Sequence, residues 1–177
     1  MKRFSLLVLL LIVCTGIRAQ EDRFSVRDGG VVWQTVYQSQ LDADSVIGAL
    51  VAKGLVEDVV DVPEGVACQV KLHSVNWKAA GFERMDVPLY LVNNQMEAHA
   101  VVLFREGRYR VTVDRIVFRA PSSTSLRERG EVTPLEDYAL SGKGTLKRVF
   151  YSMNAAPVLD YDLLKIFEVT VQEEEDW

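Results

Sequence analysis

His73 and His99 are the only histidines of this 177-residue chain, and Cys14 and Cys68 its only cysteines. Histidine titrates near neutrality and serves as acid, base or metal ligand, so these few residues bound the reactive chemistry available. Cys68 and His73 stand five apart in an extended segment, which points their side chains to opposite faces. They share an ion only if a bulge intervenes. His73 and His99 on neighbouring strands could meet, but a hydrogen-bonded structural histidine is the expectation for each. Cys68 falls on the apolar side of its strand, the setting of an inert core thiol. Ser122, Ser123, Thr124 and Ser125 form a polar run without the glycine-flanked turn that presents a nucleophile. Carboxylates are plentiful at 25, but a pair at catalytic separation is not readable from their spacing. No catalytic residue, metal site or cofactor is therefore assigned. The surviving enzymatic reading is a hydrolase with His73 or His99 as acid or base.

Recognition chemistry has stronger candidates. Arg108 and Arg110 fall on the polar parity of one strand, with Arg105 just before it, and make the most positive patch of an acidic chain. Charged residues on an exposed sheet face also serve simply to keep it soluble. Trp33 and Tyr109 lie on the apolar parity and are expected to cap the core. Trp77 follows a slip in parity and precedes a polar loop, so its place is open. Arg108, Arg110 and Trp77 are the candidate binding residues.

The elements that position these side chains are legible in outline. Val31–Tyr37 is β-branched and aromatic, and reads as a strand. Asp42 is a good helix N-cap, and Leu41 before it can staple onto Val46. Val46, Ile47, Leu50 and Val51 follow a helical period up to Gly54, where a left-handed residue closes the turn. Strands follow over Leu55–Val62, closed by Pro63-Glu64-Gly65, and over Val66–Trp77. In the latter Val66, Cys68, Val70 and Leu72 face one way, while Gln69, Lys71 and His73 face the other. Parity slips toward Val75 and Trp77, predicting a bulge or bend near Ser74. Strands at Pro88–Val92 and Glu97–Arg105 flank Asn93-Asn94, a good turn pair. Arg105-Glu106-Gly107-Arg108 reads as a tight hairpin into Tyr109–Phe118. Two polar loops, 78–87 and 119–132, are long enough to carry recognition. Thr133-Pro134-Leu135-Glu136 has capping-box spacing, and Gly142 stops that helix. Leu146, Val149, Phe150 and Met153 hint at a short helix. A last helix starts near Asp160, with Leu163, Leu164, Phe167 and Val171 on one stripe.

Ahead of these elements, Lys2 and Arg3, the apolar run Leu6–Val13 and the small residue Ala19 have the layout of a secretory signal peptide. The run is shorter than the roughly 20 residues that span a bilayer. Domain organisation is thus read as a signal peptide over 1–19, a short loose leader over 20–30 and one domain over 31–172. That domain has a core over 31–118 and a looser part over 119–172, and an acidic tail over 173–177 follows it. Cleavage after Ala19 removes Lys2, Arg3 and Arg18 and no acid, leaving 17 basic against 25 acidic side chains, about −8. Such a charge opposes a nucleic-acid partner, whose phosphates demand a dense basic face. Cys68 then stands alone, so packing rather than disulfides must hold the fold. Lipid modification at Cys14 competes with simple cleavage, but Val13 replaces the small residue that normally precedes a lipidated cysteine. The expected address is periplasmic or secreted, with no integral membrane segment after the signal is removed.

Val31-Val32-Trp33-Gln34 and Gly107-Arg108-Tyr109-Arg110-Val111-Thr112-Val113 carry a resemblance. The chain resembles the exported bacterial domain of unknown function with a TBP-like fold, over residues 31–118 and more loosely beyond. The resemblance implies an α+β fold: a single antiparallel sheet in β-α-β-β-β-β-α order, with helices packed on one face. It brings no catalytic residues, and its name does not import DNA binding, because fold does not fix function. The function expected is a non-catalytic binding or assembly module of the bacterial cell envelope. Its partner would be a protein, peptide or glycan, and an envelope hydrolase is the rival.

Overall fold

The computed structural model describes residues 22–123 and 128–170. Residues 1–19, read above as a signal peptide, with Cys14, and the acidic run 173–177 lie outside the described residues. Within them the chain builds one antiparallel sheet of seven strands: β1 (Phe24–Arg27), β2 (Gly30–Gln38), β3 (Val56–Val62), β4 (Gly65–His73), β5 (Gln95–Arg105), β6 (Arg108–Arg119) and β7 (Val132–Pro134). The spatial order is β1-β2-β6-β5-β4-β3, with β7 continuing the edge of β6 beyond β2. Five α-helices complete it: α1 (Ala43–Ala52), α2 (Leu89–Asn93), α3 (Leu135–Ala139), α4 (Arg148–Ser152) and α5 (Ala155–Phe167).

All five helices lie on one face. Alternation sends Trp33, Ala98, Ala100, Val102, Tyr109, Val111 and Val113 to that face, where each is buried. α5 is the central helix and buries eight of its thirteen residues. Three strand side chains hold it. The Trp33 indole Nε1 donates to Asp160 (2.8 Å), the Tyr37 hydroxyl to the Leu164 carbonyl (3.0 Å) and the Tyr109 hydroxyl to the Phe167 carbonyl (2.7 Å). Such bonds satisfy the polar ends of aromatics that bury large apolar areas. The Lys53 ammonium ties the end of α1 to the Lys165 carbonyl at 2.9 Å. Phe150 of α4 packs edge-on to Phe24, and Tyr138 of α3 packs edge-on to Phe118.

The α+β class, the single antiparallel sheet and the one-sided helices agree with the sequence expectation. α1 begins as predicted, with the Asp42 carboxylate accepting from the Ser45 amide at 2.8 Å and Gly54 at φ +73° closing the far end.

Four local readings need correction. Residues 24–27 of the supposed loose leader form β1. Asp28 and Gly29, at φ +51° and +80°, make the left-handed two-residue turn that matches strand twist, and Phe24 is buried against Trp33's strand. Pro88–Val92 is not a strand. Leu89–Asn93 is a helical turn, closed by the Asn94 side chain donating to the Tyr90 carbonyl at 2.8 Å. Glu136 does not form a capping box; its carboxylate accepts from the Val31 amide at 2.7 Å and fixes α3 to β2. The last helix begins at Ala155 rather than Asp160, after Asn154 turns left-handed at φ +61°.

Candidate functional site

The open sheet face carries the polar parity of the strands. Row by row it presents Val36, Arg110 and Leu103; then Gln34, Thr112, Val101 and Ala67; then Asp114, His99 and Gln69. At the end where β5 turns into β6, Arg105 pairs with Arg108 across the hairpin, and Arg110 lies two residues further along the same face. These three arginines, with Val36, Leu103 and Glu64, line a groove of about 210 Å³. No guanidinium of the three has a hydrogen-bonding or ion-pair partner among the described residues, although other arginines of the fold do: Arg23 with Asp160, Arg119 with Glu97. Val36 is 47% exposed beside them. Three forked, permanently charged donors next to apolar surface suit a carboxylate or other oxyanion on an extended, partly apolar ligand.

Local structure keeps this end of the sheet rigid. Gly107 at φ +70° allows the tight β5–β6 turn, and its carbonyl accepts from Ser39 at 3.1 Å. Gly65 lets β4 approach β5 so closely that a Cβ there would lie 1.9 Å from the Val102 carbonyl oxygen.

The structure puts the other candidates elsewhere. Trp77 lies beyond the opposite end of β4, half-buried against the core, with the Lys78 ammonium 5.3 Å from its ring centre. It shares no site with Arg108 and Arg110. His99 sits on the open face, its Nδ1 2.7 Å from the Asp114 carboxylate.

His73 is on the helix face, against expectation. Between Val70↔Ala98 and His73↔Met96, β4 takes three steps to two on β5. This extra residue flips His73 to the side of buried Met96 and places the bulge ahead of Ser74. His73 therefore shares its face with Cys68, the case in which a common ion was conceivable. Among the described residues, however, no three His, Cys, Asp or Glu groups gather as a metal site. Burial pushes the Cys68 thiol up to about 11, which makes it a poor thiolate.

His73 is instead held by Asp162 of α5. Its Nδ1 is 2.8 Å from the Lys71 carbonyl and its Nε2 2.7 Å from the Asp162 carboxylate. A carbonyl only accepts, so Nδ1 carries hydrogen; donation from Nε2 as well defines an imidazolium. Burial pulls His73 down, but the Asp162 hydrogen bond and charge, with the Lys71 carbonyl, outweigh it and raise its pKa above the ordinary value. Asp162 also accepts from the Asn76 amide at 3.0 Å, so the pair pins the loop after β4 to α5. His73 and His99 thus lie on opposite faces of the sheet, each with its own aspartate, and among the described residues no serine, threonine or cysteine is hydrogen-bonded to either.

Further concavities lie on the helix side. One of about 340 Å³ opens beside Arg23, Asp160 and Tyr151, and one of about 820 Å³ beside Leu89, Asn94, Pro121 and Tyr138. Sequence reasoning gave no hint of either, because their linings come from segments far apart in the chain.

No protein-family profile and no curated protein matches the chain in sequence. Among solved structures, a DUF4468 family protein from Bacteroides ovatus ATCC 8483 is similar at 15% identity and a TM-score of 0.46. The match covers 84% of this chain and 92% of that one. A TBP-like protein from Parabacteroides distasonis ATCC 8503 is similar at 12% identity and a TM-score of 0.49, covering 81% and 94% respectively.

Proposed function

We propose that this chain is an exported, non-catalytic binding or assembly module of the bacterial cell envelope, and that its working surface is the open sheet face around the arginine groove. The signal-peptide layout of residues 1–19 supports the address. Among the described residues no helix is long and apolar enough to cross a membrane. One observation carries the reading: Arg105, Arg108 and Arg110 converge on one groove, and among the described residues none of them is ion-paired to a carboxylate, on a chain whose formal charge is −5. Three like charges held together on two paired strands repel one another, a cost that an anionic partner would offset. The partner is an envelope protein, peptide or glycan bearing acidic groups.

The test is capture from an envelope extract by the immobilised mature protein, against a variant with Arg108→Gln and Arg110→Gln. The expected result is one retained acidic partner that the variant loses while its unfolding midpoint is unchanged. Equal capture by both proteins refutes the reading. The rival, an envelope hydrolase using His73 or His99, draws only on the two His–Asp pairs. Screening ester, phosphate and glycoside substrates before and after replacing both histidines decides it.

A further inference from the structure

The concavity of about 820 Å³ on the helix side is built from segments that the arginine groove does not use. Its size falls within the roughly 300–1,000 Å³ usual for small-ligand sites. α2 and the residue that closes it supply Leu89, Tyr90 and Asn94; Tyr138 comes from α3, and Met153 follows α4. Tyr90 and Tyr138 stack with ring centres 3.9 Å and planes 2° apart, so they act as one aromatic wall. Burial, and then the neighbouring Tyr138, push the Tyr90 phenol well above its ordinary value, which keeps it a neutral hydroxyl. Asn154, next to Met153, donates its side-chain amide to the Asp86 carbonyl at 2.9 Å and ties the α2 side of the concavity to the α4 side. No described residue lining it is charged. An ionic ligand would lose hydration there without gaining a counter-charge.

Asn94 sets the other requirement. It is only 7% exposed. Its Nδ2 donates to the Tyr90 carbonyl at 2.8 Å, and because a carbonyl only accepts, that bond fixes which end of the amide is oxygen. Oδ1 has no partner among the described residues, whereas buried acceptors are ordinarily bonded. No fully enclosed side-chain oxygen among those residues lacks a partner, so Oδ1 reaches open space, and the concavity is the space that Asn94 lines. A ligand must therefore bring a donor for this oxygen, no net charge, and apolar surface for Leu89 and Met153, both more than half exposed. We infer that this concavity binds an N-acetylated amino sugar of a neutral glycan, with the acetamido N–H donated to Asn94 Oδ1. The acetamido methyl can then cover the exposed apolar side chains and the C–H face of the ring the tyrosine wall, while Asn93 offers its amide to the hydroxyls. A peptide fits less well. Strand addition needs an open sheet edge, which helical turns and loops do not offer, and a proline-rich segment needs a groove between aromatics, whereas these two tyrosines close on each other.

This site stands or falls independently of the arginine groove. The experiment titrates the isotope-labelled full mature chain with N,N′-diacetylchitobiose and, in parallel, with cellobiose, which has the same linkage and a hydroxyl in place of each acetamido group. The expected result is movement of the Asn94 side-chain amide and of the backbone amides of Leu89–Asn94 and Met153. Chitobiose should bind about tenfold tighter than cellobiose, the worth of one good hydrogen bond. Asn94→Ala removes the acceptor and should abolish that preference. Leu89→Asp with Met153→Asp alters only exposed positions, so it should weaken chitobiose about tenfold with the unfolding midpoint unchanged; it decides the matter if Asn94→Ala does not fold. No movement at roughly 10 mM chitobiose overturns the inference, as does equal binding of cellobiose. Movement at Arg105, Arg108 and Arg110 instead places the sugar in the groove and overturns it too. So does a decaproline peptide that moves the Leu89–Asn94 resonances where the sugar does not.

Discussion

Replacing Asp162 by alanine isolates the most consequential polar contact of the fold. The carboxylate is 8% exposed and accepts from two donors, the His73 imidazolium at 2.7 Å and the Asn76 amide at 3.0 Å. Alanine removes both acceptors, stranding a positive charge under α5 and a backbone amide at the start of the following loop. Breaking one side of a buried pair costs about 3–5 kcal/mol, because the remaining charge must lose its proton or stay unsolvated. For a domain of this size that is a fall in Tm of roughly 6–20 °C. Asp162→Asn behaves differently. Its amide oxygen still accepts from Asn76, and its NH2 donates to Nε2 of a neutral His73, leaving a cost of about 1 kcal/mol.

The two variants also separate in pH. His73 has its pKa raised in the folded protein, so the stability it adds is fully present below its unfolded value of about 6.5. That contribution disappears as pH rises through the folded value. The advantage of wild type over Asp162→Asn should therefore be largest near pH 5.5 and shrink steadily toward alkaline pH. Urea unfolding followed by tryptophan fluorescence across that range reads it directly. A loss below about 1 kcal/mol in Asp162→Ala, or a wild-type advantage over Asp162→Asn that is flat in pH, refutes the charged-pair assignment.

Three further outcomes follow from single positions. Gly65→Ala forces a methyl to within 1.9 Å of a backbone oxygen in the neighbouring strand, and should destabilise by about 3 kcal/mol or abolish soluble expression. Chemical denaturation, or recovery of soluble protein, measures it. Glu64→Gly relieves a non-glycine residue at φ +64° in the β3–β4 turn and should stabilise by about 0.5–1 kcal/mol, seen as a higher urea midpoint. Cys68, buried and with its thiol pushed up to about 11, should resist a disulfide-exchange reagent at pH 8 and react only at the rate of unfolding; rapid labelling of native protein contradicts the core assignment.

What the sequence made legible was local or periodic. Asp42 and Gly54 bound α1 because capping and left-handed closure are set by the residues themselves. Trp33 and Tyr109 announced their burial by strict alternation with polar neighbours. β1 passed for loose leader because a strand of four residues is too short to establish a period. Pro88–Val92 misled because an apolar run of five fits a strand and a helical turn equally well, and only packing of Tyr90 against Phe118 and Tyr138 decides between them. The partnerships of Trp33 with Asp160 and His73 with Asp162 span 127 and 89 residues. No local pattern encodes a contact of that range, so both aspartates passed as ordinary polar positions on a helix.

The bulges explain why the histidines could not be assigned from parity alone, and why they do not form one site. β5 keeps perfect alternation over Gln95–Leu103, while both strands beside it gain a residue opposite Glu97–Ala98: β4 between Val70 and His73, and β6 between Asp114 and Val117, where Arg115 turns left-handed at φ +50°. Each insertion reverses the face of everything beyond it on its own strand. On β4 the reversal carries His73 under α5, where Asp162 can meet it. On β6 it lets Ile116 and Phe118 return to the core after Asp114 has faced out toward His99. Without the β4 insertion His73 would lie on the open face with His99, the arrangement that a shared acid–base or metal site requires. Deleting Leu72, which is 38% exposed and belongs to the inserted stretch, should therefore cost the Asp162 contact and return His73 to the solvent face. The signature is a His73 ring that titrates near its ordinary value in a chain that still folds, and a ring that keeps its raised value would show that the insertion does not set the face.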